Sequence, residues 1–189
     1  MNIAQQVPML EGGDGYVLTY TGKRFYPTFP ESLEVDIVDI AHALSNVCRY
    51  NGHLKSFLSV AQHSCYVARY VEENYNKHLA LAALLHDASE AYLPDMPSPI
   101  KDTLPDFRKL EARLHKHIFN AFNLDWPYAK IIKEVDKVIR QDEMRDLSDW
   151  DLGGKGLEIA ISSWEPWLAE KLFLERYEEL NTAPNRKAQ

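Results

Sequence analysis

The chain has 189 residues, a formal net charge of −7 and 46% hydrophobic residues, which fits a single domain, 1–189, with a sizeable core. That acidity argues against a broad nucleic-acid-binding face, which needs a basic stripe, but a small phosphate ligand remains compatible with it, because a metal and one or two cations reverse a local potential. There is no run of about 18 apolar residues and no basic-then-apolar leader at the N-terminus, so the expectation is a cytoplasmic protein with no membrane partner. Cys48 and Cys65 form no C-x-x-C motif and read as free thiols of a reducing compartment.

Residues 1–35 read as an N-terminal arm in which Tyr16–Tyr20, the Thr21-Gly22 turn and Arg24–Tyr26 form a short β-hairpin. The body, 36–150, is helical nearly everywhere. Asp36 opens a helix with the stripe Ile37, Ile40, Ala41, Leu44 and Val47, expected to stop at Tyr50-Asn51-Gly52. Ser59–Tyr75 carries Val60, Ser64, Val67 and Val71 at helical spacing, and His63 sits among them. Leu79–Leu85 is apolar all round, the pattern of a buried helix, and runs into His86-Asp87. Pro94, Pro97, Pro99 and Pro105 force a loop. A helix from about Asp106 follows with Phe107, Leu110, Leu114, Ile118 and Phe122. Pro127 is placed in the first turn of the next helix, whose stripe Ile132, Val135 and Ile139 includes Asp136. Residues 151–189 comprise a glycine-rich break, an amphipathic helix over Trp164–Leu180 and a polar tail.

Four chemical anomalies stand out on these apolar faces: His63, His86, Asp87 and Asp136. A buried carboxylate or imidazole costs several kcal/mol unless it is paired. A lone histidine on such a face is most often a core residue bonded to backbone, and a lone aspartate a cap or a partner of Lys133 or Lys137. Recurrence on separate helices makes one shared divalent cation the better account. An N/O donor set suits Co, Mn, Ni, Fe or Zn better than Mg, which stays an option. If the helix continues past His86, Glu90 points to the same side as that ligand and is the candidate for general acid/base work. His42 reads as packing, and His115 and His117 as solvated residues on a lysine-rich helix.

The order His … His-Asp … Asp resembles the HD-domain metal-dependent phosphohydrolases. Residues 85–101 are similar to the segment of their 5′-deoxynucleotidase (YfbR-like) branch and its phage dATP triphosphohydrolase relatives, where His-Asp-x-x-Glu precedes Asp-x-Pro-x-Pro-x-Lys. Ala61-Gln62-His63-Ser64 is similar to the start of their histidine helix, and Arg49-Tyr50 resembles their Arg-Trp pair, with Tyr50 standing where they carry Trp. The resemblance spans residues 36–140. It implies an all-α HD-domain bundle with the short β-hairpin in front, and a mononuclear metal site. It also implies catalytic work by Glu90, contact of Arg49 and Tyr50 with the substrate, a grip of Asp95 on the sugar, and a meeting of Lys101 with phosphate. The expected reaction is cleavage of a (deoxy)nucleotide 5′-phosphoester at the α-phosphorus, releasing nucleoside plus phosphate or triphosphate. The expected partners are a small-molecule nucleotide and further copies of the chain. The alternatives are hydrolysis of another nucleotide such as an alarmone, and a non-catalytic module that keeps the metal as a staple.

Overall fold

The computed structural model describes residues 15–28, 35–150 and 152–182; the rest of the arm, Asp151 and most of the polar tail lie outside them. The architecture is an all-α bundle with a short antiparallel hairpin at its N-terminal side. The hairpin pairs β1 (Val17–Leu18) with β2 (Arg24–Phe25), Val17 opposite Phe25. Its turn needs a left-handed residue, which Gly22 supplies at φ 83°. The turn is tied to the bundle by the buried Asp39, which accepts from the Thr21 amide at 2.7 Å and the Thr21 hydroxyl at 2.9 Å.

Helix α1 (Ile37–Asn46) begins where Asp36 accepts from the Val38 amide, and buries Ile40, Ala41 and Leu44. It stops one turn earlier than its stripe predicts. Val47 turns extended, and Cys48 pairs in an antiparallel bridge with Ser59, fixed by Arg49 N–H to Leu58 O at 2.9 Å and Val60 N–H to Val47 O at 3.0 Å. The loop so closed contains a 3₁₀ turn, Arg49–Gly52, in which Tyr50 and Asn51 both take positive φ. Ser59 then caps α2 (Val60–Asn74), which packs against α1, α3, α6 and α7 and is the central helix.

The buried run forms α3 (Lys77–Leu84). It ends before His86-Asp87, and the chain continues through a 3₁₀ turn, Ala88–Ala91. Pro97 leads into the short α4 (Ser98–Lys101), and Pro105 is the first residue of α5 (Pro105–Ala121), where a missing N–H costs nothing. Helix α6 is Lys130–Leu147: the chain is still extended at Ala129, so Pro127 belongs to the preceding turn and not to the helix. Last comes α7 (Pro166–Asn181), which buries Ala169, Phe173 and Leu180 against α1, α2 and α3.

The irregular segment before α7 is tethered to α6. The buried Asp142 accepts from the Leu157 amide at 2.7 Å, Asp146 accepts from Ile161 N–H at 2.8 Å, and Arg145 donates to Ile159 O at 2.7 Å. The approach at Gly156 is so close that a Cβ there would stand 2.2 Å from Asp142 Oδ1. Among the described residues no helix is long and apolar enough to cross a membrane.

Candidate metal centre

The bundle brings His63 from the second turn of α2, His86-Asp87 from the turn after α3, and Asp136 from mid-α6 to one place. The donor atoms of His63, His86 and Asp136 lie within 4.8 Å of one another, so this group can hold a metal ion. His63 Nε2 is 3.2 Å from Asp136 Oδ1, and His86 Nε2 is 3.2 Å from Asp87 Oδ2 and 4.0 Å from Asp136 Oδ1. Asp87 stands beside the trio, its Oδ2 also 4.0 Å from His63 Nε2 and 3.5 Å from the Arg49 guanidinium. The early end of α3 places His86 and Asp87 here: in the turn, consecutive side chains project toward the same spot, which an unbroken helix would separate by about 100°.

The protonation of the two imidazoles tests whether a cation fits. His86 Nδ1 is 2.7 Å from Ala83 O, and a carbonyl only accepts, so Nδ1 carries the proton. His63 Nδ1 is 2.5 Å from Glu143 Oε1, which likewise accepts. In the neutral rings both Nε2 atoms are therefore lone pairs. They are buried, have no hydrogen-bond partner among the described residues, and face carboxylate oxygens. Lone pairs aimed at anions repel unless a positive charge lies between them. The donor set, two imidazole nitrogens with carboxylate oxygen, is the set a divalent ion takes. Without the ion a proton substitutes: burial opposes charge on His86, but Asp87 and Asp136 outweigh it and push its pKa up to about 9.

The surroundings divide into groups held charged and groups held neutral. Burial works against ionisation of Asp136, yet the close approach of His63 holds its carboxyl down at about 2. Glu143, fully buried, is held at about 2 because Arg49 and His63 outweigh its burial. Arg49 itself is buried and kept charged by Glu143, Asp87 and Asp136; it does not sit at the surface of a helix end. Glu90 is different. Burial, then Asp87 and Asp95, push its carboxyl well above the usual range, and its Oε2 is buried without a partner among the described residues. Asp95 is raised as well, burial first.

A cleft of about 330 Å³ opens on this cluster, at the lower end of small-ligand sites. Arg49, Tyr50, Asp87, Glu90, Asp95 and Asp136 line it, so the expected substrate residues share one cavity with the metal group. Lys101 and Arg140 line it too. Lys101 is already paired with Glu111 at 2.5 Å, and the Tyr50 hydroxyl donates to Glu143.

Two residues of the site escaped the sequence reading. Glu143 lies seven residues after Asp136, two helical turns along the same face of α6, and that spacing was the available signal. His115 is buried, not solvated: its rings of contact are Trp126, stacked at 4.6 Å, Phe119 and Tyr128, and its nitrogens reach Ser89 Oγ at 3.3 Å and Leu85 O at 3.2 Å. It supports the His86-Asp87 turn from behind. His42 packs as expected, stacked on Tyr20 at 3.6 Å, and neither Lys133 nor Lys137 is an ion-pair partner of Asp136.

No family model matches the chain. It is 32% identical over 138 residues to an uncharacterized protein of Rhodobacter capsulatus, covering 68% of this chain and 70% of that one. It is 34% identical over 174 residues to the uncharacterized protein YfdR of Escherichia coli K12, covering 88% of this chain and 96% of its relative. Identity at that level over almost the whole of both chains means that the protein belongs to the YfdR family.

Proposed function

We propose that the protein is a metal-dependent phosphohydrolase of the HD-domain type, cleaving the 5′-phosphoester of (deoxy)nucleotides at the α-phosphorus. One observation carries the reading: two buried imidazole nitrogens without partners among the described residues face carboxylates that line a cleft, and the same cleft is lined by Glu90, whose carboxyl burial pushes well above the usual range. His63, His86 and Asp136, with Asp87 beside them, are the residues that would hold the ion, and the mixed donor set favours Co, Mn, Ni, Fe or Zn over Mg. When bound, the ion supplies Lewis-acid polarisation of a phosphoryl group and acidifies water.

The remaining chemistry belongs to the chain. Arg49, fixed between Asp87 and Glu143, presents a permanent positive charge to a phosphoryl oxygen. Glu90, whose carboxyl is pushed well above the usual range by burial and then by Asp87 and Asp95, is suited to give a proton to the departing 5′-oxygen as water adds to the α-phosphorus and the bond to that oxygen breaks. Asp95 and Tyr50 line the part of the cleft where a sugar would sit, which anchors the ester nearest the sugar beside the metal residues. Lys101 is neutralised by Glu111, so a polyphosphate tail must share it with that carboxylate.

The test is hydrolysis of all dNMPs and dNTPs with Co²⁺, Mn²⁺ and Mg²⁺, in ¹⁸O-labelled water. The expected products are free nucleoside and phosphate or triphosphate that carries the label. Formation of dADP and single phosphate from dATP, with no nucleoside, would overturn the proposal.

A further inference from the structure

Glu143 is fully buried and touches both the metal group and the substrate arm. Its Oε1 is 2.5 Å from His63 Nδ1, and its Oε2 accepts from the Tyr50 hydroxyl and lies 3.5 Å from the Arg49 guanidinium. The two oxygens therefore serve different masters. The first fixes the tautomer of His63 that leaves Nε2 free for a ligand, the role that outer carboxylates play behind metal-binding histidines. The second holds a turn that would not hold itself. Tyr50 and Asn51 sit at φ 56° and 50°, a left-handed pair that is unfavourable for non-glycine residues. The backbone bond His53 N–H to Tyr50 O closes only the turn's far end. The offset comes from the side chains: the Tyr50 hydroxyl on Glu143, and Arg49 both ion-paired to Glu143 and 5.3 Å over the Tyr50 ring.

We propose that Glu143 is a positioning residue shared by the metal centre and the substrate arm, so that the ligand readiness of His63 and the placement of Arg49-Tyr50 depend on the same carboxylate. The inference rests on the metal-centre reading above, and its kinetic arm on the nucleotide reading. The shared geometry makes a specific demand. Both oxygens must accept hydrogen bonds, one from an imidazole and the other from a phenol, and the second must also face a guanidinium. An amide has one accepting end, so glutamine satisfies one side and turns an N–H toward the other.

The experiment compares Glu143→Gln, Glu143→Asp and Tyr50→Phe with the wild type, using folded protein confirmed by circular dichroism. Competition of Co²⁺ against a chromophoric chelator gives the metal affinity, and nucleotide kinetics at saturating Co²⁺ give kcat and KM separately. Glu143→Gln is expected to weaken Co²⁺ binding about 10–100-fold, the usual scale for such a partner, and also to raise KM at saturating metal. Glu143→Asp keeps the charge next to Arg49 but is a methylene short of serving both sides, and should weaken Co²⁺ in the same direction by a smaller factor; it also decides the matter if the glutamine variant does not fold. Tyr50→Phe loses one contact of Oε2 only, and should raise KM while leaving Co²⁺ affinity unchanged. Wild-type Co²⁺ affinity in both Glu143 variants would overturn the proposal, as would weakened metal binding with no change in KM. If no nucleotide is turned over even by the wild type, the nucleotide reading fails, while the chelator arm still judges the metal half of the inference.

Discussion

Asp136 and Glu143 on α6 are held down at about 2, whereas Glu90 and Asp95, which line the cleft together with Asp136, are pushed upward. All are desolvated, so burial alone does not separate them. What differs is the company. The α6 pair faces the His63 ring and the Arg49 guanidinium, and those partners more than offset the loss of water. Glu90 has Asp87 and Asp95 for neighbours, and like charges compound its burial. One cleft thereby holds Asp136, a carboxylate fit to be a ligand, near Glu90, a carboxyl whose upward shift suits it to donate a proton. This division of labour between neighbouring acids is how a fold runs acid and base chemistry at one pH.

The strongest way to break that contrast is to remove the ligands. His63→Ala and Asp136→Ala should each lose bound metal on elemental analysis, and hydrolytic activity with it, by more than the ~100-fold seen when only an outer partner is changed. Stoichiometric metal in Asp136→Ala would remove α6 from the site. Next in size is the acid itself. Glu90→Gln keeps the volume and cannot release a proton, so kcat should fall roughly 10²–10⁴-fold while metal content stays at the wild-type level. Turnover near wild type, with metal bound, would mean that another group delivers the proton.

The smallest effect sharpens the contrast by carrying it from carboxyls to imidazoles. His86 is in contact with Asp87 and is raised to about 9; His115, behind the same turn, is bonded to Ser89 and a carbonyl among aromatic rings, and there burial outweighs the pull of Asp87 and lowers it to about 4. Unfolded His115 takes a proton near its ordinary 6.5 and the folded residue resists to about 4. Over that window the unfolded state binds more protons, so stability is full above pH 6.5 and drains as pH falls toward 4, by about 3 kcal/mol in all. Urea midpoints measured at pH 7 and 4.5 should show this loss reduced in His115→Gln. An identical loss in variant and wild type would assign it to other groups.

The helices and the residues of the candidate metal group were readable because both leave local marks. A 3.6-residue apolar stripe announces a helix, and an ionisable residue lying on that stripe announces a buried charge in need of a partner. His63 and Asp136 were legible on those grounds. Glu143 was not, because Arg140-Gln141-Asp142-Glu143 has the look of a solvated helix end; its burial is created by Arg49 and Tyr50, delivered from far away in sequence by the Cys48–Ser59 bridge. The same non-local pairing ended α1 early and took Arg49 inside. His115 was misread for a related reason: the lysines of α5 suggested solvent, and only the return of Trp126 and Tyr128 over its ring excludes it. The two corrected helix ends, at Leu84 and Lys130, turned on backbone geometry at Leu85 and Ala129 that no side-chain pattern encodes.

The tether between α6 and the segment before α7 has a consequence for how the molecule breathes. By backbone shape residues 152–165 are a loop, and amides in a loop ordinarily exchange their hydrogens with water almost freely. Here the Leu157 and Ile161 amides are bound to Asp142 and Asp146, and Asp142 is sealed inside beside Glu143. Those amides are released only when that face of α6 lets go of them, so their exchange clock is that of α6 itself, and the segment opens as part of the helix's cooperative unit and not as a surface strand of its own.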